Sequence, residues 1–147
     1  MTSMRMVMRG NEENDIYRLI AQHLRINHQR VVFHFDTSGV NNTSRYSRSL
    51  YKALNGDPGW PDLQICARSH PDFGDYLGLF IEVKKAGTRI RRRDGSLVAD
   101  QHIRDQAEMI KRLNAAGYYA AFGVSYESCK RLIDEYLTGT YNETVFF

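Results

Sequence analysis

Little in this chain announces a secreted, membrane-bound or thiol-based protein. Only two cysteines occur in 147 residues, Cys66 and Cys129. They are far apart and each sits inside an apolar pattern, so a disulfide framework or a zinc site has little support and both read as reduced filler. No stretch approaches the ~18 uninterrupted apolar residues that a membrane span needs; the longest candidates are residues 118–124 and 63–67. The opening ten residues have basic side chains but no sustained apolar core and no small-residue cleavage site, which argues against a secretory signal. The expectation is a soluble, cytoplasmic protein with no membrane partner. The five histidines show no metal-ligand spacing, and there is neither a phosphate-cradling glycine loop nor a serine elbow. Repeats and low-complexity segments are also missing.

What is present is enough apolar sequence for one core, 42% of residues, and one domain covering residues 1–147 is expected. The net charge of +3 is small, but its distribution is uneven. Between Lys84 and Arg104, seven basic side chains face only Asp94 and Asp100, a local balance of +5 that exceeds the total. A polyanion is the natural partner for Lys85, Arg89, Arg91, Arg92 and Arg93 in that stretch, and a solvated basic hairpin is the alternative.

Residues 11–27 read as a helix, with Ile16, Leu19, Ile20, His23 and Leu24 at helical spacing, Asn11 as cap and Glu12, Glu13 and Asp15 in the first turn. Residues 31–35 read as a strand, followed by turn chemistry and a possible short helix at 44–54. Residues 63–67 and 79–84 read as two antiparallel strands. In 88–98, Asp94-Gly95 signals a projecting hairpin with a two-residue turn. A helix at 100–116 with Ile103, Ala107, Ile110 and Leu113 on one face, a buried strand at 118–124 and a last helix at 126–137 complete the order α, β, β, β, α, β, α. That order predicts a mixed sheet flanked by helices.

Strand alternation puts Glu82 and Lys84 on one face and Ile81 and Val83 on the other. Asp62 follows Pro61 at the start of the preceding strand, where hairpin pairing would bring it beside Glu82. Two carboxylates, with backbone carbonyls and water, suit a hard divalent ion such as Mg²⁺. Metal binding alone does not explain a lysine beside them. It fits a reaction that develops negative charge, in which an ammonium orients the attacking water and stabilises the transition state. His34, Trp60, Arg45, Tyr46 and Arg48 are weaker candidates, each with an ordinary structural explanation: core or edge packing, a turn anchor, a solvated loop.

The constellation resembles the VRR-NUC branch of the PD-(D/E)xK nucleases, which supplies the catalytic domain of the Fanconi-associated nuclease and occurs as small stand-alone viral proteins. The resemblance rests on Glu13 before Ile16, Gly59-Trp60-Pro61-Asp62-Leu63, Glu82-Val83-Lys84, Gln106, Gly117-Tyr118 and Tyr136-Leu137, and spans nearly the whole chain. It implies an α/β fold with an αβββαβ core, here with an added C-terminal helix and a basic hairpin insertion. It also implies metal ligation by Asp62, Glu82 and the Val83 carbonyl, with Mg²⁺ or Mn²⁺ as the ion. Lys84 would serve the nucleophilic water, Glu13 would support the metal or its waters, and Gln106 would position Lys84 or the phosphate. Glu12 competes with Glu13, and Gln101 with Gln106; spacing to Ile16 and Leu24 favours Glu13, and distance to Gly117 favours Gln106. Residues 86–103 depart from the family by being longer and richer in arginine, as an added phosphate clamp or a dimerisation arm, with Arg89, Arg91 and Arg93 on one face of an arm. The implied activity is metal-dependent hydrolysis of DNA, branched or otherwise structured, by a homodimer that cuts two strands. A restriction-type or repair exonuclease, or a catalytically silent DNA-binding module, are the alternatives.

Overall fold

The computed structural model describes residues 12–37 and 44–140; Asn11, the turn residues 38–43 and the apolar tail lie outside them. In chain order the elements are α1 (Glu12–Asn27), β1 (Phe33–Phe35), α2 (Arg45–Leu54), β2 (Leu63–Ile65), β3 (Leu79–Lys84), α3 (Gln101–Ala115), β4 (Tyr119–Val124) and α4 (Tyr126–Thr138). The four strands lie in the order β1-β2-β3-β4, antiparallel across the first two pairings and parallel between β3 and β4. This is the mixed sheet with flanking helices that the αβββαβ pattern predicts, with α2 between β1 and β2.

Strand β3 is central and all six of its residues are buried. Leu79, Ile81 and Val83 face a core shared with Ile20 and Leu24 of α1 and Ile133 and Tyr136 of α4. Phe80 faces the opposite way, against Met109 and Leu113 of α3 and Ala120 of β4. The chain therefore leaves β3 for a helix on one face and leaves β4 for a helix on the other, a topological switch between two parallel strands. Such a switch opens a crevice at the strands' C-terminal ends.

Several local expectations shift. Leu19 is 38% exposed, at the margin of the α1 stripe, while His23 is buried within it. On α3 the buried face is Ile103, Gln106, Met109 and Leu113; Ala107 and Ile110 are only half buried. Ile103 and Leu113 lie where the apolar pattern predicts, and the middle of the face shifts because a glutamine occupies a core position. Asp100 caps this helix, its carboxylate accepting from the His102 and Ile103 N–H groups. Both cysteines are free, but only Cys129 is buried; Cys66 is exposed.

The hairpin forms, with Arg91 bridging Leu97, but its turn holds three residues, not two. Arg92 N–H donates to Ser96 O at 2.8 Å and Gly95 N–H to Arg92 O at 3.0 Å. Gly95 has φ +85°, so this is a type I turn closed by a left-handed glycine, the other common use of Asp-Gly. Arg93 consequently sits in the turn instead of on the arm with Arg89 and Arg91. Among the described residues, no helix is long and apolar enough to cross a membrane.

Candidate active site

The β2–β3 register sets the site. Leu63 pairs with Ile81, so one step back along β2 places Asp62 opposite Glu82. The Asp62 Oδ2 atom accepts the Val83 N–H at 2.8 Å, which fixes the carboxylate against the strand. Gly59 explains how the chain reaches this position. Its φ is +99°, and a Cβ there would lie 2.5 Å from the backbone oxygen of Asp105. Only glycine lets the Gly59-Trp60-Pro61-Asp62 turn press onto α3, one residue from Gln106. Trp60 seals the turn by meeting Phe80 edge-on at 5.3 Å between ring centroids, the anchoring role.

Glu82 is 3% exposed and Lys84 is 8% exposed, with Lys84 Nζ 3.6 Å from Glu82 Oε1. Gln106, also buried, donates through Nε2 to the same Oε1 at 2.8 Å. Its contact is thus with Glu82, and this geometry favours it over Gln101, which is exposed and bonded to Asp105 on its own helix. Glu82 Oε2 and Gln106 Oε1 are buried without a hydrogen-bond partner among the described residues. Burial raises the Glu82 pKa to about 9; the Asp62 carboxylate adds to this by charge and by hydrogen bonding, and Glu13 adds further charge, while Lys84 opposes. Ion-free, the Glu82 carboxyl keeps its proton at neutral pH.

Glu13 acts electrostatically on this centre, whereas Glu12 lines a neighbouring cleft. Two further residues belong to the constellation. Tyr17 hydrogen-bonds Asp62, and its pKa is driven up by burial and by the carboxylates of Asp62, Glu82 and Glu13. It lies one helical turn after Glu13, so i,i+4 spacing would have flagged it once Glu13 was placed. Asp36 extends the row, its N–H donating to the Asp62 carbonyl at 2.8 Å and its Oδ2 accepting from the Tyr51 hydroxyl at 3.3 Å. No local signal marks Asp36, since it ends a strand in ordinary turn sequence.

His34 is exposed on β1, in register with Gln64 and Phe80 and not with the Asp62–Glu82 row. Arg45, Tyr46 and Arg48 lie on α2, which buries nothing. Lys85, Arg89, Arg91, Arg92 and Arg93 are all exposed; Arg91 Nη1 folds back onto the Gly95 carbonyl at 2.9 Å. At the switch between β3 and β4 a cleft of about 390 Å³ is lined by Lys85, Ala86, Ser125 and Tyr126 with Glu12, Asp15, Ile16 and Leu19. Ser125, with φ 86° and ψ 157°, occupies backbone space that is nearly glycine-only.

A solved structure described as a "VRR_NUC domain protein" superimposes with a TM-score of 0.59, covering 88% of this chain and 90% of that one at 20% identity. The chain has the VRR-NUC fold. No family model and no curated protein matches the sequence. In this VRR-NUC fold, the restriction-endonuclease-like sheet presents Asp62, Glu82 and Lys84 together, with Gln106 behind them.

Proposed function

We propose that the chain is a Mg²⁺- or Mn²⁺-dependent nuclease that hydrolyses phosphodiester bonds in DNA. The observation that carries this reading is the buried Glu82, with an unpartnered carboxylate oxygen, beside the half-buried Asp62 and the buried Lys84. Burying Glu82 and Lys84 costs several kcal/mol per charge unless something repays it, and a hydrophobic pair would fill the space better. A cation fits the unsatisfied Glu82 oxygen and the facing Asp62 carboxylate. Asp62 and Glu82 would hold it, and the Val83 carbonyl would complete the protein ligands. In an extended strand the N–H and C=O of one residue point to the same side, so this carbonyl faces Asp62 as its N–H does.

A divalent ion bound there supplies charge to the scissile phosphate and acidifies water. Lys84 orients the attacking water and stabilises charge on the phosphoryl oxygens. Gln106 fixes the Glu82 carboxylate, while Tyr17 and Glu13 fix Asp62 and its waters. The exposed arginines of the hairpin contact backbone phosphates and set the position of the duplex. Branched DNA would be cut by a symmetric dimer, which sedimentation at assay concentration tests: a strictly monomeric protein would refute it.

The direct assay is cleavage of labelled four-way junction, flap, single-stranded and duplex DNA with Mg²⁺, Mn²⁺ or EDTA. Metal-dependent cutting that disappears in Glu82→Ala and Lys84→Ala is expected, and the preferred substrate names the role. Binding without cutting under every metal would make the chain a DNA-binding module instead.

A further inference from the structure

Away from the acid pair, His23 and His28 at the end of α1 converge on Asp134 of α4. Both Nε2 atoms reach the same carboxylate oxygen, Oδ1, at 2.7 and 2.9 Å. The two imidazole nitrogens and the carboxylate oxygen lie within 4.8 Å of one another. More than 100 residues separate the histidines from Asp134, which is why sequence spacing hid the cluster.

We propose that His23, His28 and Asp134 form a second metal site, of zinc class, that ties the first helix to the last. The donor set is two imidazole nitrogens and one carboxylate oxygen, which suits borderline ions such as Zn²⁺ better than Mg²⁺. The surroundings resemble an outer shell. Lys130 Nζ lies 3.7 Å from Asp134 Oδ2, leaving Oδ1 for the ion, and Asn27 Nδ2 lies 3.0 Å from His23 Nδ1. Side-chain exposures of 7% for His23, 12% for His28 and 19% for Asp134 leave the cluster sheltered but reachable, so water supplies the fourth ligand.

Ion-free, the cluster is a hydrogen-bonded clamp in which each Nε2–H donates to Oδ1 and Asn27 donates to His23 Nδ1. Zinc takes the Nε2 lone pairs. Each ring then carries its proton on Nδ1, and the Asn27 amide releases His23 Nδ1 while keeping its bond to the His23 carbonyl at 3.2 Å. No net proton is gained or lost by the rings. Each Nε2 moves away from Oδ1, from hydrogen-bonding contact to tetrahedral spacing, a displacement of about half an ångström for Zn–N and Zn–O bonds of about 2.0–2.1 Å. Because α1 also carries Glu13 and Tyr17, the ion would steady the helix that supports the nuclease centre.

The test uses full-length protein stripped with a chelator and titrated with Co²⁺, then Zn²⁺. One equivalent should give the visible absorption of tetrahedral cobalt and be displaced by zinc. In the wild-type protein the ring resonances of His23 and His28 should shift on adding zinc, while those of His34, His70 and His102 stay in place. The tetrahedral signal should persist in Glu82→Gln, which separates this site from the proposed nuclease centre, and in Cys66→Ser, which removes the exposed thiol. His28→Ala should weaken it by at least about 100-fold. Unshifted His23 and His28 resonances at one equivalent of zinc, or cobalt binding unchanged in His28→Ala, would overturn the proposal. The wild-type resonances decide the matter even if that variant folds poorly.

Discussion

Phe80 and Glu82 sit two residues apart on the same strand and the same face, both covered by α3, yet they follow opposite rules. At the Phe80 end the sheet meets Met109 and Leu113 of α3 beside Ala120, an apolar cluster. At the Glu82 end it meets Gln106 and Lys84, with a carboxylate oxygen left unpaired. The first end is optimised for packing. The second gives up packing to hold polar groups where a core would be, which the proposed nuclease chemistry would account for. Substitutions at the two ends should therefore separate stability from activity.

The largest separation is expected at Lys84. Replacement by Met keeps the bulk and removes the ammonium, and should lower single-turnover cleavage about 10²–10⁴-fold with the thermal midpoint unchanged or raised. Phe80→Ala should do the reverse, costing about 3–5 kcal/mol in denaturant unfolding. Its residual activity per folded molecule should exceed that of Lys84→Met, although Trp60 loses its packing partner.

Glu82→Gln should stabilise the metal-free protein, by an amount that grows with pH. Below about 4.5 the carboxyl is protonated whether the chain is folded or not; between there and about 9 the unfolded chain releases the proton and the fold retains it. Wild-type stability is thus full at low pH and falls as pH rises through that window. The glutamine removes this slope, so its advantage in thermal midpoint should be near zero at pH 5 and reach a few degrees by pH 8. A constant difference across that range would show that Glu82 does not carry the proton. Gln106→Ala, which frees the Glu82 carboxylate to swing, should cost about 10–100-fold in cleavage, read as kcat, with little change in DNA affinity. The mildest effect belongs to the triple change of Arg91, Arg92 and Arg93 to Ala. It should weaken DNA binding and reduce the salt slope by roughly 0.9 for each phosphate that is no longer neutralised, leaving metal-dependent chemistry in place.

Much of this contrast was legible beforehand. Period-two alternation in 79–84 put Glu82 and Lys84 together, and a hairpin register brought Asp62 across to them, because both are local rules of strands. The distance from Gln106 to Gly117 distinguished it from Gln101; apolar periodicity placed Ile103 and Leu113 correctly on the buried face of α3 but put Ala107 and Ile110 where Gln106 and Met109 lie, since a buried glutamine breaks the pattern. The His23–His28–Asp134 cluster depends on how α1 meets α4, and Asp36 on how the end of β1 pairs beside β2. Contacts made across tens of residues leave no trace in local spacing. The hairpin turn was misjudged by one residue because Asp-Gly serves both a two-residue turn and a type I turn closed by a left-handed glycine.

The most direct test of the central claim is Mn²⁺ binding and DNA cleavage measured side by side on wild type, Glu82→Gln and Lys84→Met. The account predicts that Glu82→Gln loses both tight Mn²⁺ binding and cleavage, while Lys84→Met keeps the ion and loses the cleavage. If both variants bind Mn²⁺ and cut DNA as the wild type does, the buried end of β3 is not the catalytic centre.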